Sequence, residues 1–266
     1  MDYQRIERYC CGRRVLSVIL EHMKLSAVVI VKNEEKDIED CLKSLLFCDE
    51  IVIIDDDSID KTTKIAKKYN ARIYRKTLAS FSDQRNYGLE KALHDWVLFI
   101  DADERVGGDL REEIKNAIWK EYDGYFIKRN DFFIGKELKY GDLKNVWLMR
   151  LANKKMGKWE GRVHEVWKIK GKTGKLKNSI MHNSHTNLKE FIQKIDLYST
   201  LRAHELREEK IPSSLLSILL YPLSKFAKLY ILKLGFLDGI HGFVHAVFMS
   251  MYSFLVRAKL YLPNEN

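Results

Sequence analysis

The chain has 266 residues, 46% of them apolar and 31% charged, with 3 prolines and 14 glycines. That composition excludes a disordered or fibrous chain and suits one large α/β domain or one domain with an extension. Lysine and arginine exceed aspartate and glutamate by 46 − 37 = +9, so the surface attracts anions: nucleic acid, phosphorylated metabolites or anionic lipid headgroups.

Residues 1–22 read awkwardly. "GRRVLSVIL" sets two arginines before an apolar run too short for a signal peptide, and no small-residue cleavage site follows. Met23 opens "MKLSAVVIVKNEE" as a natural start would, so residues 1–22 are expected to lie outside the fold. Cys10, Cys11, Cys41 and Cys48 lack the C-x-x-C spacing of a metal site, and Cys41 falls on a helix's apolar face. Reduced structural thiols in the cytoplasm are the expectation.

From Leu25 strands and helices alternate. "LSAVVIV" is a strand; in "DIEDCLKSLLF", Ile38, Cys41, Leu42, Leu45 and Leu46 make one helical face. "EIVIID" is a strand and "DKTTKIAKKY" a helix, then "ARIYR" and "SDQRNYGLEKAL", then "DWVLFI" and "DLREEIKNAI", the last with Leu110, Ile114, Ala117 and Ile118 on one side. Such alternation predicts a mostly parallel central sheet flanked by helices, with ligands at the carboxyl ends of its strands. Three acid clusters, "NEE" (33–35), "DDD" (55–57) and "DADE" (101–104), each follow a predicted strand and so reach one sheet edge.

Between about 124 and 183 the pattern turns to short strands, including "NVWLMRLA", "VHEVWKI" and "KLKNSIMH". A long helix, "LKEFIQKIDLYSTLRAHELREEK", follows. The segments 213–233 and 236–260 are more apolar, with Pro222 and Gly235 as expected breaks. The longest uncharged stretch, about 239–254, falls short of the roughly 20 residues of a membrane span. An in-plane amphipathic helix pair with basic flanks, peripheral to a membrane, fits this pattern; a helical subdomain packed on the core or a partner is the other reading.

In extended backbone Asp101 and Asp103 point the same way. Two such carboxylates repel, and a hard divalent cation, Mg²⁺ or Mn²⁺, relieves them while carrying substrate phosphates. Glu104 has no assigned role and is expected to be solvated. Trp147, Trp159 and Trp167 are expected in the core.

The strand-end clusters, in this order and spacing, resemble the GT-A fold of family 2 glycosyltransferases. "VVIVKNEEKDIEDCLKSL" resembles the opening strand and helix of that family. "IVIIDDDSIDKT" resembles its D-D-G-S-x-D-x-T segment, and "SDQRNYGLEKALHDWVLFIDADE" its R-N-x-G helix and D-x-D strand. More narrowly, "GYFIKRNDFFIGK", "WEGRVHE" and "FLDGIHGFVHA" are similar to bacterial lipopolysaccharide-core glycosyltransferases of the β-glucosyltransferase type.

The resemblance implies a GT-A domain over 23–186 and a C-terminal helical region over 187–266. It implies an inverting, metal-dependent transfer from a nucleotide-diphospho-sugar, UDP-linked, to a glycan or glycolipid acceptor at the inner face of the plasma membrane. Asn33, Glu34 and Asp56 would line the base and ribose pocket, Arg85 would lie near the diphosphate, and Asp101 would contact ribose or metal. Asp103 would be the principal metal ligand and His182 a further one, with His185 a weaker candidate.

The family's base is an acid some tens of residues after D-x-D, which points to Glu165, 62 residues beyond Asp103; neighbouring His164 would be a further metal or phosphate ligand. A plain strand "VHEVWKI" would instead turn His164 and Glu165 to opposite faces. Asp57 and Ile59 replace the family's usual glycine and threonine. Glycine there permits a positive φ, which aspartate tolerates better than most residues.

Two other function classes compete. A degenerate GT-A domain could serve as a scaffold or carbohydrate-binding module, against which the retained Asp101, Asp103 and Glu165 weigh. A sugar nucleotidyltransferase should carry a glycine-rich loop after the first strand, where this chain has "KNEEKD". A response regulator would leave the second half unexplained. Nucleic-acid binding is not expected, because the basic residues are dispersed without a helix-turn-helix or zinc pattern.

Overall fold

The computed structural model describes residues 24–143, 146–161, 165–185 and 188–262. The expectation for residues 1–22 and the role suggested for His164 lie outside the described residues. The chain divides into two compact units. Unit 1 comprises residues up to Lys128 together with Trp147–Ile180, and unit 2 comprises Arg129–Val146 together with Met181 onward.

Unit 1 begins as the periodicity predicts. β1 (Leu25–Val31), α1 (Ile38–Leu45), β2 (Glu50–Asp55), α2 (Thr62–Lys68), β3 (Arg72–Arg75), α3 (Phe81–Lys91) and β4 (Trp96–Asp101) alternate along the chain. β5 (Glu104–Arg105) and α4 (Gly108–Ala117) follow, then β6 (Gly124–Phe133), β7 (Lys136–Glu137), β8 (Val146–Asn153), β9 (Gly157–Glu160), β10 (Val166–Ile169) and β11 (Thr173–His185). The main sheet runs β3-β2-β1-β4-β8-β6-β11-β5. β1 pairs in parallel with β2 and β4, and β2 with β3, whereas β8 joins β4 antiparallel. β9 and β10 form a separate antiparallel pair.

The central strands read as unbroken apolar runs because both their faces are buried. Leu25, Ala27, Val29 and Val31 of β1, with Ile51, Ile53, Leu98 and Ile100, pack against α1 and α4. Val28, Val52, Ile54, Val97 and Phe99 face the other way, against Leu89, Trp159 and Trp167. Each such side chain contributes about 1.5–3 kcal/mol on burial, so these two layers fix where the strand ends stand.

Gly88 lets α3 approach that second layer: a Cβ there would lie 2.6 Å from Val28 Cγ1. Trp159 and Trp167 stack on each other and meet Phe99 edge-on, each at 5.1 Å, as core residues. Cys41 is fully buried as expected, and burial pushes its thiol well above the usual range. Leu46 departs from the expected helical face. α1 ends at Leu45, and Leu46, at its C-cap, is exposed.

Unit 2 contains α5 (Leu188–Glu208), α6 (Leu215–Phe226), a π-helical turn at Ala227–Leu232 and α7 (Ile240–Tyr261). The segment 129–146 groups with these helices because Phe133 and Leu138 share a core with Phe191 and Ile195. Pro222 is not the expected break. It lies inside α6, and the Ser250 hydroxyl donates to its carbonyl at 2.7 Å. The chain turns instead at Leu234, in the left-handed region at φ 59°, beside Gly235.

His245 of α7 sits against the rings of Phe133 and Phe191. Burial pushes its imidazole down to about 4, only partly opposed by the Asp142 and Asp131 charges. The unfolded chain takes up a proton near 6.5 that the folded unit refuses, so stability is complete above that pH and falls as pH drops toward 4. The loss amounts to about 3 kcal/mol. Urea unfolding at pH 7 and pH 4.5 should therefore show a smaller acid loss for His245→Leu than for wild type; equal losses would contradict this assignment.

Candidate active site

The parallel register brings the acids to a common edge. Val31 lies opposite Asp55, and Ile30 lies opposite both Ile54 and Asp101. Beyond it, the loops after β1 and β2 are stitched together. The Asn33 N–H donates to Ser58 Oγ at 3.0 Å and the Ile59 N–H to Asn33 Oδ1 at 2.9 Å. The Glu34 N–H donates to Thr62 Oγ1 at 2.7 Å, and the Glu35 N–H to Asp60 Oδ2 at 3.0 Å. Serine, aspartate and threonine of the D-D-x-S-x-D-x-T segment thus brace the loop pair.

Asp57 takes φ 52°, the geometry anticipated where the family pattern has glycine, and its carboxylate accepts from Thr77 Oγ1. Asp56 is buried; Lys32 Nζ donates to one of its carboxylate oxygens and the Leu78 N–H to the other, each at 2.8 Å. Asp55, also buried, accepts from the Ser58 N–H through Oδ1, while its Oδ2 has no hydrogen-bond partner among the described residues.

The end of β4 carries a charged network. Arg85 of α3 donates from Nη2 to Asp101 Oδ1 at 3.0 Å and from Nε to Glu165 Oε1 at 2.9 Å. Its guanidinium lies 4.7 Å from the centre of the Trp159 ring. Next along α3, Asn86 exchanges two hydrogen bonds with the Trp159 backbone, each at 2.9 Å. The three fixed residues of R-N-x-G therefore act separately. The arginine forms ion pairs, the asparagine pins β9, and the glycine allows the helix close to the sheet.

Arg150 of β8 donates from Nη2 to Asp101 Oδ2 at 2.5 Å and to Glu104 Oε1 at 2.8 Å. Glu104 Oε2 accepts the Asp101 N–H at 2.9 Å. Burial opposes ionisation of Asp101, but the Arg150 and Arg85 charges outweigh it and hold the carboxyl far below the usual range. Glu104 is completely buried and paired, not solvated as its sequence context suggested.

Arg85, Asp101 and Glu165, singled out separately in the sequence, stand together. Glu165 immediately precedes β10 and is not part of that strand. Asn33 and Asp56 engage protein groups at the loop pair, and Glu34 joins it through its backbone. His182 lies in unit 2, its Nδ1 paired with buried Asp131. Arg150, Glu104 and the unsatisfied oxygen of Asp55 were not anticipated. Arg150 had one signal: a lone charge inside the apolar strand "VWLMRLA".

Among the described residues no group of three or more His, Cys, Asp or Glu side chains is placed to hold a metal ion. With Asp101 committed to two guanidinium groups, an all-protein cage does not fit. A hard ion held by one or two carboxylates completes its shell with phosphate oxygens and water.

A mixed sheet whose four parallel strands present acids at their carboxyl edge, joined to an antiparallel strand that brings an arginine to them, is the GT-A arrangement of a glycosyltransferase. A family model described as "Glycosyl transferase family 2" matches residues 26–187, and the chain belongs to that family. The lipopolysaccharide core biosynthesis glycosyltransferase LpsC of Rhizobium meliloti is 29% identical over 253 residues, covering 91% of this chain and 94% of that protein. The uncharacterized glycosyltransferase RT0209 of Rickettsia typhi is 27% identical over 254 residues, covering 89% and 86%. Among solved structures, glucosyl-3-phosphoglycerate synthase from Mycobacterium tuberculosis shares the fold, with a TM-score of 0.50 at 16% identity over 77% of this chain and 88% of that one.

A β-branched residue at φ 52° is strained by about 1–3 kcal/mol. Asp57→Val should therefore lower the unfolding free energy by that amount in urea titration, and Asp57→Gly by less than about 1 kcal/mol. Equal losses would show that φ at this position is not the constraint.

Proposed function

We propose that this enzyme transfers a hexose, with inversion, from a UDP-linked donor to a lipopolysaccharide-core or other cell-envelope glycan acceptor. The observation that carries the reading is the meeting of Asp101, Arg85 and Glu165 at the end of β4. The role that LpsC is named for, in a protein similar along nearly its whole length, favours the envelope acceptor.

In this reading the loop pair at Asn33, Glu34 and Asp56 receives the base and ribose. Asp101 lies beside the ribose and Arg85 beside the diphosphate. Asp103 holds a divalent ion, Mg²⁺ or Mn²⁺, whose charge offsets that gathering on the leaving diphosphate. Glu165 takes the proton of the acceptor hydroxyl as its oxygen bonds to the anomeric carbon and the bond from that carbon to the diphosphate oxygen breaks.

Unit 2 supports peripheral association with the cytoplasmic face of the plasma membrane. Residues 215–232, one continuous helical stretch, are long and apolar enough to cross a membrane by length and composition. Leu215, Leu216, Leu219, Leu223 and Leu232 are exposed there. From 211 to 262 the only acid is Asp238; Lys225 and Lys233 pair with Asp142 and Lys259 with Asp196, so Lys228 and Arg257 carry the basic character of this surface. An apolar face with a basic surround suits anionic headgroups over acyl chains.

A panel of nucleotide-sugars assayed for transfer or slow hydrolysis, with and without Mn²⁺, tests the chemistry. One UDP-sugar should turn over with Mn²⁺, and Glu165→Gln should lower kcat about 10²- to 10⁴-fold with little change in KM. Turnover of no donor would refute the reading. In a separate assay, full-length protein should co-sediment with phosphatidylglycerol-containing vesicles, and Leu219→Glu with Leu223→Glu should abolish this. Equal pelleting of the two proteins would remove the membrane claim.

A further inference from the structure

We propose that Arg150, locked by Glu104, is a positioning residue that fixes the Asp101 carboxylate and, through Arg85, sets where Glu165 stands. The inference rests on the donor reading above and adds to it two buried residues.

The geometry is a closed loop of contacts. Glu104 spends one oxygen on the Asp101 N–H at 2.9 Å and the other on Arg150 at 2.8 Å. A single buried carboxylate thus grips the backbone of Asp101 and also the cation that grips its side chain. Arg150 contacts both Asp101 oxygens, Oδ2 at 2.5 Å and Oδ1 at 3.4 Å. A guanidinium across both oxygens stops the carboxylate from rotating, which a lysine's point charge does not do. Arg85 then bridges from Asp101 Oδ1 to Glu165, so the orientation of Asp101 passes on to Glu165.

Stability alone does not account for this arrangement. The side chains of Arg150 and Glu104 are 4% and 0% exposed. Taking each ion out of water costs several kcal/mol, and apolar residues of similar volume commonly do as well or better. Met149, Leu151 and Ala152 beside Arg150 are buried apolar residues, so β8 would be well served by another. What the ions supply, and an apolar pair cannot, is a direction for Asp101.

The test is a double-mutant cycle on full-length protein, read by calorimetric UDP binding with Mn²⁺ and by steady-state turnover of the responsive donor. The variants are Arg150→Lys, Glu104→Gln, Asp101→Asn, and each of the first two combined with Asp101→Asn. Melting temperatures restrict the comparison to folded protein, and Glu104→Gln, nearly isosteric, repeats the cycle should Arg150→Lys fold poorly. Arg150→Lys and Glu104→Gln should each lower kcat/KM about 10- to 100-fold. Each double variant should be no worse than Asp101→Asn alone, since both act through that carboxylate.

A purely structural role would lower melting temperature while leaving KM and UDP affinity of the folded protein unchanged, and would overturn the inference. So would losses that multiply in the double variants. If wild-type protein binds no UDP and turns over no donor, the donor reading falls and the inference with it. If wild type binds UDP and the Arg150 and Glu104 variants bind and turn over equally well, the inference alone falls.

Discussion

One buried guanidinium holds together the acids at the end of β4. Arg150 rises from β8, the strand that joins antiparallel to the parallel sheet, and is held between Asp101 and Glu104. Remove its charge and the buried Glu104 loses this ion pair, while Asp101 keeps Arg85 alone of its two guanidinium partners, a cost of several kcal/mol. With the charge in place, Asp101 stays ionised despite its burial. The aspartate that follows it by two residues, Asp103, thereby leaves β4 from a fixed point. Arg85 is tied to the same carboxylate and Glu165 to Arg85, so the aspartate, its arginine and the proposed base form one chain of contacts.

The features visible in the sequence are those with local causes. Central strands buried on both faces must be continuous apolar runs, so β1, β2 and β4 were legible, and with them the edge where their acids emerge. Helices with one buried stripe, such as α4 with Leu110 and Ile114, were equally plain. The positive φ of Asp57 was anticipated from the family pattern, which has glycine at that place, and aspartate tolerates it. Leu46 failed because periodicity does not say where a helix stops, and Pro222 because a helix packed on a neighbour can keep its proline.

The ion network was opaque for a different reason. Glu104 and Arg150 are 46 positions apart, and no periodic pattern links two residues that meet only when β8 docks beside β4. An acid after D-x-D reads as one more solvated charge until its partner is known. The same blindness applies to His182, legible as a histidine after a strand, whose partner Asp131 lies 51 positions away. Residue types at strand ends revealed the class of chemistry, whereas the pairings that hold those residues still required the fold.

The most direct measurement is a crystal structure of the protein with UDP and Mn²⁺, with the ion located by anomalous scattering. The predicted result is a diphosphate at the carboxyl edge of β1, β2 and β4, a manganese peak at Asp103, and Asp101 still gripped by Arg150. Nucleotide bound elsewhere, or Asp101 turned away from Arg150 toward the metal, would contradict it.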